Sequence, residues 1–280
     1  MPGRFSNMTS TGVSVPEHVP VRDASTVILV RDGALGIEVF LLERVGGMAF
    51  AGGMTVFPGG GVDLSDADAD VAWSGPGPVW WADRFGVDER KATALVCAAA
   101  RETFEECGVL LAGPTPDSTV ADTSCFAEDR GKLERREQTF GQFLTRNGLV
   151  LRADLLRPWS NWITPVGETR RYDTRFFVAV LPDGQEADGA TSEAASVGWR
   201  SSTAALADWR RGETILLPPT WSQLSGLEGF DSIADILDAS PDISPIQPDL
   251  HRVDGKIRVD FPGQDGYYAD SAHPWSDRKL

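Results

Sequence analysis

Glu102, Glu105 and Glu106 stand at i, i+3 and i+4. On a helix that spacing puts three carboxylates on one face. Three anions so close repel one another, and they fall near the end of a predicted helix, where the macrodipole also disfavours negative charge. A hard divalent cation resolves both conflicts, because carboxylate oxygens are preferred ligands of Mg²⁺, Mn²⁺ and Ca²⁺. A solvated acidic face is the plainer explanation for a Glu-Glu pair. It does not explain why Arg101 and Gly108 frame the three glutamates, a five-residue pattern expected by chance about once per 10⁶ positions. Upstream stands Phe57-Pro58-Gly59-Gly60-Gly61. Its glycines let backbone approach a ligand closely and can offer a carbonyl oxygen to a metal, although taken alone the segment reads as a tight turn.

These groups need rigid elements to hold them. Asp88–Cys107 is predicted as the helix that carries the glutamates: Asp88 suits its N-cap, Ala92–Ala100 is rich in alanine, and Gly108 is a stop signal. Ala24–Val30 and Ile37–Glu43 read as strands joined by a turn at Asp32-Gly33, and Met54–Phe57 as a short strand in the loop Gly46–Gly61. Residues 63–88 read as an irregular insertion, and 125–147 as one or two amphipathic helices. Further strands are predicted at Trp162–Pro165, Arg175–Leu181 and Ala195–Arg200, with helices at Ser202–Arg211, Thr220–Leu227 and Phe230–Leu237. His251–Phe261, centred on Asp254-Gly255, is a hairpin.

Composition narrows the partners. The 280 residues carry 26 Lys and Arg against 41 Asp and Glu, a formal charge of −15. That balance opposes binding to nucleic acid or to an anionic membrane surface by charge alone. No apolar run reaches the roughly 20 residues of a membrane helix, and Met1–Val21 lacks the apolar stretch of a signal peptide. Cys97, Cys107 and Cys125 lack zinc-site spacing, which suits a reducing compartment.

Gly60, Asp66 and the run Arg101-Glu102-Thr103-Phe104-Glu105-Glu106-Cys107-Gly108-Val109 together resemble the Nudix box, G-x5-E-x7-R-E-U-x-E-E-x-G-U, with U a bulky apolar residue. Three features depart from it. Asp66 replaces the first glutamate, Thr103 occupies an apolar position, and 34 residues rather than seven separate Asp66 from Arg101. The shorter Asp66 side chain argues against a direct metal role. The resemblance implies an α/β (α+β) Nudix fold, a mixed, curved β-sheet between helices, with helical insertions near 67–90 and 113–157. It places the Nudix domain at 23–240, after a mobile arm at 1–22 and before a C-terminal extension at 241–280 that carries the hairpin. It implies hydrolysis of a nucleoside diphosphate derivative with Mg²⁺ or Mn²⁺. Glu102, Glu105 and Glu106 would be the metal ligands, with Gly59 or Gly60 adding a carbonyl oxygen. Arg101 would orient a glutamate, and Glu193, or Glu186 as its rival, would serve as base or further ligand.

Leu41-Leu42-Glu43-Arg44, Gly53-x3-Phe57-Pro58-Gly59-Gly60, Trp162-Ile163-Thr164-Pro165, Arg170–Phe177 and Leu217-Pro218-Pro219-Thr220 are similar to the coenzyme A diphosphatases within that family, as is the long box insertion. Ala49 stands where that subfamily has an arginine. The resemblance implies coenzyme A or acyl-coenzyme A as substrate. ADP-ribose, NADH or another nucleotide diphosphate is the alternative, and a non-catalytic nucleotide-sensing module a second one. Arg44, Arg170, Arg171 and Arg175 are candidates to hold the nucleotide, since guanidinium forks match phosphate oxygens; pairing with surface carboxylates is the competing role. Trp80, Trp81, Phe85, Phe140 and Phe143 could line a pocket for the rest of the substrate, though aromatic residues at such spacing are more often ordinary core. Many family members form dimers, so a homodimer is compatible with the resemblance. The Ala-, Gly- and Asp-rich composition suggests a bacterial cytoplasmic protein; Arg278-Lys279-Leu280 only faintly resembles a peroxisomal tail.

Overall fold

The computed structural model describes residues 19–34, 36–46, 53–67, 71–253 and 256–269. Of the arm expected at 1–22, residues 1–18 lie outside the described residues, as do Ala49, the Asp254-Gly255 turn and the 278–280 tail, whereas Val21 and Arg22 are not part of an arm but pair as strand with Arg171 and Tyr172. The chain opens with a long antiparallel pair, β1 (Val21–Gly33) and β2 (Gly36–Arg44). β3 (Thr55–Val56) and β4 (Gly59–Gly61) follow, then α1 (Leu64–Ala67), β5 (Trp73–Ser74), α2 (Pro78–Phe85) and the long α3 (Glu89–Cys107). β6 (Ala112–Gly113), α4 (Ala127–Glu134), α5 (Phe140–Arg146) and β7 (Val150–Arg152) lead to the strands β8 (Arg157–Ile163), β9 (Arg171–Val180) and β10 (Ala194–Ser201). Last come α6 (Ser202–Arg210), α7 (Pro218–Leu227), α8 (Ile233–Asp238), β11 (Pro245–Ile246), the hairpin β12 (Asp249–Val253) and β13 (Lys256–Asp260), and α9 (Gln264–Ala269).

The main sheet is mixed, in the order β10-β2-β1-β9-β8-β11. β1 runs parallel to β9 from Val21 to Val30; its other edge pairs antiparallel with β4 near Ala24–Thr26 and with β2 from Val30 onward. Side chains alternate across it. Val27 and Leu29 enter one core, Ile28 and Val30 the other. Because both faces are covered, β1 reads as a near-continuous apolar run rather than as an alternating one.

α3 lies on the first face. Its alanines at 92, 94 and 98–100 are buried, and such small side chains let the helix approach the sheet closely. The Ser25 hydroxyl donates to the Leu95 carbonyl oxygen at 2.7 Å and ties helix to strand. The second face is covered by α6, α7 and α8 through Leu206, Trp209, Leu224 and Ile236. Phe261 and Tyr267 of the C-terminal extension insert into the same core, and β11 adds to the sheet edge beside β8. The two insertions meet in a small separate sheet, where β5 and β6 flank β7.

Several local expectations shift. Residues 63–88 are not irregular: they contain α1, β5 and α2, whose Trp81 and Phe85 pack against Phe177. The strand expected at Trp162–Pro165 lies at Arg157–Ile163. Pro158 masks it, and a register break between Pro158 and Ser160 accommodates that proline. β1 continues through Asp32 and Gly33, which pairs with Gly36, so the expected turn residues belong to the strand. α8 starts at Ile233 rather than Phe230, because the Ser232 hydroxyl caps it by accepting from Asp235 N–H. Tyr267 stacks on Trp209 and donates its hydroxyl to the Leu216 carbonyl oxygen at 3.0 Å. Tyr267→Ala should therefore cost about 3 kcal/mol of stability, read as a lowered urea midpoint; an unchanged midpoint would mean that the extension does not hold this core together.

Candidate active site

α3 is capped at both ends. The Asp88 carboxylate accepts from Lys91 N–H at 2.8 Å, and Gly108 closes the helix in the left-handed conformation at φ 71°. The last turn carries three glutamates, against the sense of the helix dipole. Arg130 of α4 offsets part of that conflict by donating to the Glu105 carbonyl oxygen at 2.9 Å.

Arg101 organises the carboxylates. Its guanidinium forms a fork with Asp66, Nε to Oδ1 at 3.0 Å and Nη2 to Oδ2 at 2.9 Å. Nη1 donates to Glu102 at 2.8 Å and lies 3.3 Å from Glu105, and Nη2 reaches the Gly61 carbonyl oxygen at 2.9 Å. Arg101 is 5% exposed and Asp66 1%. Asp66 thus serves as an anchor for the arginine. The arginine, expected to orient one glutamate, meets three carboxylates.

The Gly59–Gly61 strand faces this cluster. Gly59 N–H donates to Glu106 Oε2 at 2.7 Å, a contact that sequence reasoning missed because nothing local links residues 59 and 106. A methyl group built at Gly60 would come within 2.7 Å of Glu102 Oε1, so the absent side chain makes the room beside that carboxylate. Arg44, at the end of β2, donates to Glu193 Oε2 at 2.6 Å, and Val45 N–H donates to the Glu193 carbonyl oxygen at 3.0 Å. Both Arg44 and Glu193 act electrostatically on Glu106. The connection bearing Glu193 is clamped from the second insertion: Arg130 pairs with Asp188 at 2.7 Å, and the Ser192 hydroxyl donates to Glu134 at 2.6 Å. Glu186 is exposed on that connection, while Gln185 turns inward to bond Leu110 and Val120.

Arg171 and Arg175 are engaged elsewhere. Arg171 donates to the Thr164 carbonyl oxygen and to Gln247, whereas Arg175 pairs with Asp173 and lies over the Phe85 ring. Asp173 also lies 3.8 Å from Lys91, in the first turn of α3, about 16 Å along the helix from Glu102 at 1.5 Å per residue. Arg170 is exposed just before β9. Trp81, Phe85 and Phe143 belong to the core, and Trp80 stacks edge-on against Trp81. Phe140 borders a groove of about 320 Å³ beside Arg101 and Glu105, where Asp63, Leu64, Arg136 and Gln138 also line it.

Burial is the main force on these acids. It raises Glu102 to about 7, helped by the like charge of Glu105 and opposed by Arg101. It raises Glu106 well above the usual carboxylate range, with Glu102 adding to the effect, and raises Glu105 and Asp66 against the pull of Arg101. Among the described residues no three such side chains converge as a ready cation cage; Arg101 and Gly59 N–H hold them instead. The donor set, all carboxylate oxygens beside a glycine backbone, nevertheless fits a hard divalent cation. Asp66→Ala would strip Arg101 of its fork partner in a buried site and should cost about 3 kcal/mol in chemical denaturation. A raised carboxylate pKa in the fold means that the native state holds protons which the unfolded chain has released. Metal-free stability contributed by Glu102 is therefore lost as pH rises from about 4.5 through 7, and Glu106, also raised by burial, acts in the same direction. Calorimetry in chelator should find Glu102→Gln gaining on the wild type across that window; a constant difference would contradict it.

The comparisons with known proteins bear on the family and the fold. The family model of the NUDT19 Nudix domain matches residues 86–227. The chicken acyl-coenzyme A diphosphatase NUDT19 is 32% identical, covering 85% of this chain and 75% of its own. The human protein of that name is 28% identical over 85% and 74%. A crystal structure of a NUDIX hydrolase from Alicyclobacillus acidocaldarius superposes with a TM-score of 0.65 at 27% identity, over 81% of this chain and 99% of that one. No helix among the described residues is long and apolar enough to cross a membrane. A family match over half the chain, a shared fold and the carboxylate face of α3 give one conclusion: the chain belongs to the Nudix hydrolases, enzymes that act on pyrophosphate bonds, and within them it resembles the NUDT19 group.

Proposed function

We propose that this enzyme hydrolyses the diphosphate of coenzyme A or acyl-coenzyme A to 3′,5′-ADP and 4′-phosphopantetheine or its acylated form. The observation that carries the reading is the carboxylate face of α3, held by Arg101 against Gly59–Gly61 beside an open groove. The likeness to acyl-coenzyme A diphosphatases over most of the chain supports the choice of substrate. Glu102, Glu105 and Glu106, with the Gly60 carbonyl oxygen, are the groups that would hold Mg²⁺ or Mn²⁺. When bound, such an ion neutralises the diphosphate and lowers the pKa of a water.

The chain's own groups set the rest. Arg101 keeps Glu102 and Glu105 on one side of the site, and Gly59 N–H fixes Glu106. Glu193 takes the proton of the attacking water as its oxygen bonds to one phosphorus. The bond from that phosphorus to the bridging oxygen breaks, and the electron pair leaves with the other phosphate. Arg44 orients Glu193 and neutralises phosphate charge. Arg170 is exposed, and Arg171 and Arg175 would first exchange their present partners to meet the nucleotide.

Turnover measured across coenzyme A, acyl-coenzyme A, ADP-ribose and NADH, with Mg²⁺, Mn²⁺ or chelator, tests the proposal. Coenzyme A or its acyl form should be preferred, and chelator should abolish activity. Glu105→Gln and Glu106→Gln should each lower kcat by about 10³-fold or more, a barrier increase near 4 kcal/mol. A clear preference for NADH or ADP-ribose, which the missing arginine at Ala49 keeps in contention, would replace the substrate assignment. Tight nucleotide binding without turnover would favour a sensing module.

A further inference from the structure

Arg136 stands out by its backbone. α4 ends in the six-residue hydrogen-bonded closure common at helix C-termini: Arg136 N–H donates to the Leu133 carbonyl oxygen and Glu137 N–H to that of Lys132, each at 2.8 Å. The residue at the left-handed position of that closure is normally glycine, because a Cβ there crowds the carbonyl. Here it is an arginine at φ 58°, the one non-glycine residue with positive φ among the described residues. A side chain kept where glycine would be less strained points to a use for it.

Its surroundings suggest the use. Arg136 lines the groove that also reaches Arg101 and Glu105. Arg101 is tied into the carboxylate cluster, and the neighbouring Arg135 is locked in a fork with Glu137 at 2.8 and 3.0 Å. The Arg136 side chain instead is 79% exposed and meets Asp63 at 3.4 Å. An exposed, loosely held pair of this kind is weak and exchanges readily for a doubly charged phosphate. In a chain of charge −15, a second anionic group on the substrate needs such a placed cation.

We propose that Arg136, delivered to the mouth of the groove by the second insertion, binds the phosphate that a coenzyme A-type substrate carries on its ribose besides the diphosphate. This rests on the substrate reading above and makes Arg136 a specificity determinant for it. The measurement is kcat/KM for coenzyme A and for 3′-dephospho-coenzyme A, with Mg²⁺, in the wild type, Arg136→Gly and Arg136→Lys. The wild type should favour coenzyme A. Arg136→Gly should cut the ratio of the two kcat/KM values by about tenfold, through KM, as expected for loss of one charge-assisted contact. Arg136→Lys should restore part of the ratio. The melting temperature of Arg136→Gly should equal or exceed that of the wild type, since glycine relieves the left-handed strain, so the loss cannot be unfolding. Calorimetric binding of 3′,5′-ADP should weaken similarly in Arg136→Gly, and this reads the site without turnover. An unchanged ratio alongside hydrolysis of coenzyme A overturns the role of Arg136 and leaves the proposed function standing. Binding of 3′,5′-ADP through Arg136 without hydrolysis of coenzyme A does the reverse.

Discussion

A guanidinium buried among carboxylates is the constraint on which the site depends. Arg101 brings a fixed fan of N–H donors into a pocket that also holds Asp66, Glu102 and Glu105. Alone, any of these charges would be strongly disfavoured away from water; together they are compensated in part, and the geometry that compensates them also fixes where each acid stands. The surplus negative charge is what a cation would balance. The same arginine reaches the Gly61 carbonyl oxygen, so the helix and the glycine strand are set relative to each other by one side chain.

The scaffold serves that pairing from both sides. β1 holds β4 on one edge and β9 on the other, while alanines let α3 lie low over the sheet. The segments 67–90 and 113–157 support the site structurally. The first supplies α2 to the core. The second supplies Arg130 and Glu134, which brace the connection that ends in Glu193, and a turn that puts Arg136 at the groove. The long interruption between Asp66 and Arg101 leaves their fork intact, because tertiary packing, not sequence distance, sets the contact.

Much of this was readable beforehand for physical reasons. The helix limits at Asp88 and Gly108 follow from capping chemistry, and the shared face of Glu102, Glu105 and Glu106 follows from helical periodicity alone. β1 and β2 follow from β-branched runs, though the turn between them does not, and the strands at 249–260 follow from the pattern flanking Asp254-Gly255. What failed did so for definable reasons. Pro158 concealed a strand that tolerates it by a register break, and the Gly75–Pro78 stretch concealed α2, whose Trp81 and Phe85 pack against Phe177.

The sequence by itself determined that three carboxylates share a helical face, that an arginine precedes them and that a glycine run lies upstream, because those facts depend only on residue type and local period. Only the tertiary structure decided which oxygen each donor meets. It gave Asp66 to Arg101 and Glu106 to Gly59 N–H, brought Arg44 to Glu193, and drew Arg171 and Arg175 to other partners. Such pairings join residues separated by up to about half the chain. Their choice rests on how α3, the sheet and the insertions pack, which no local period encodes.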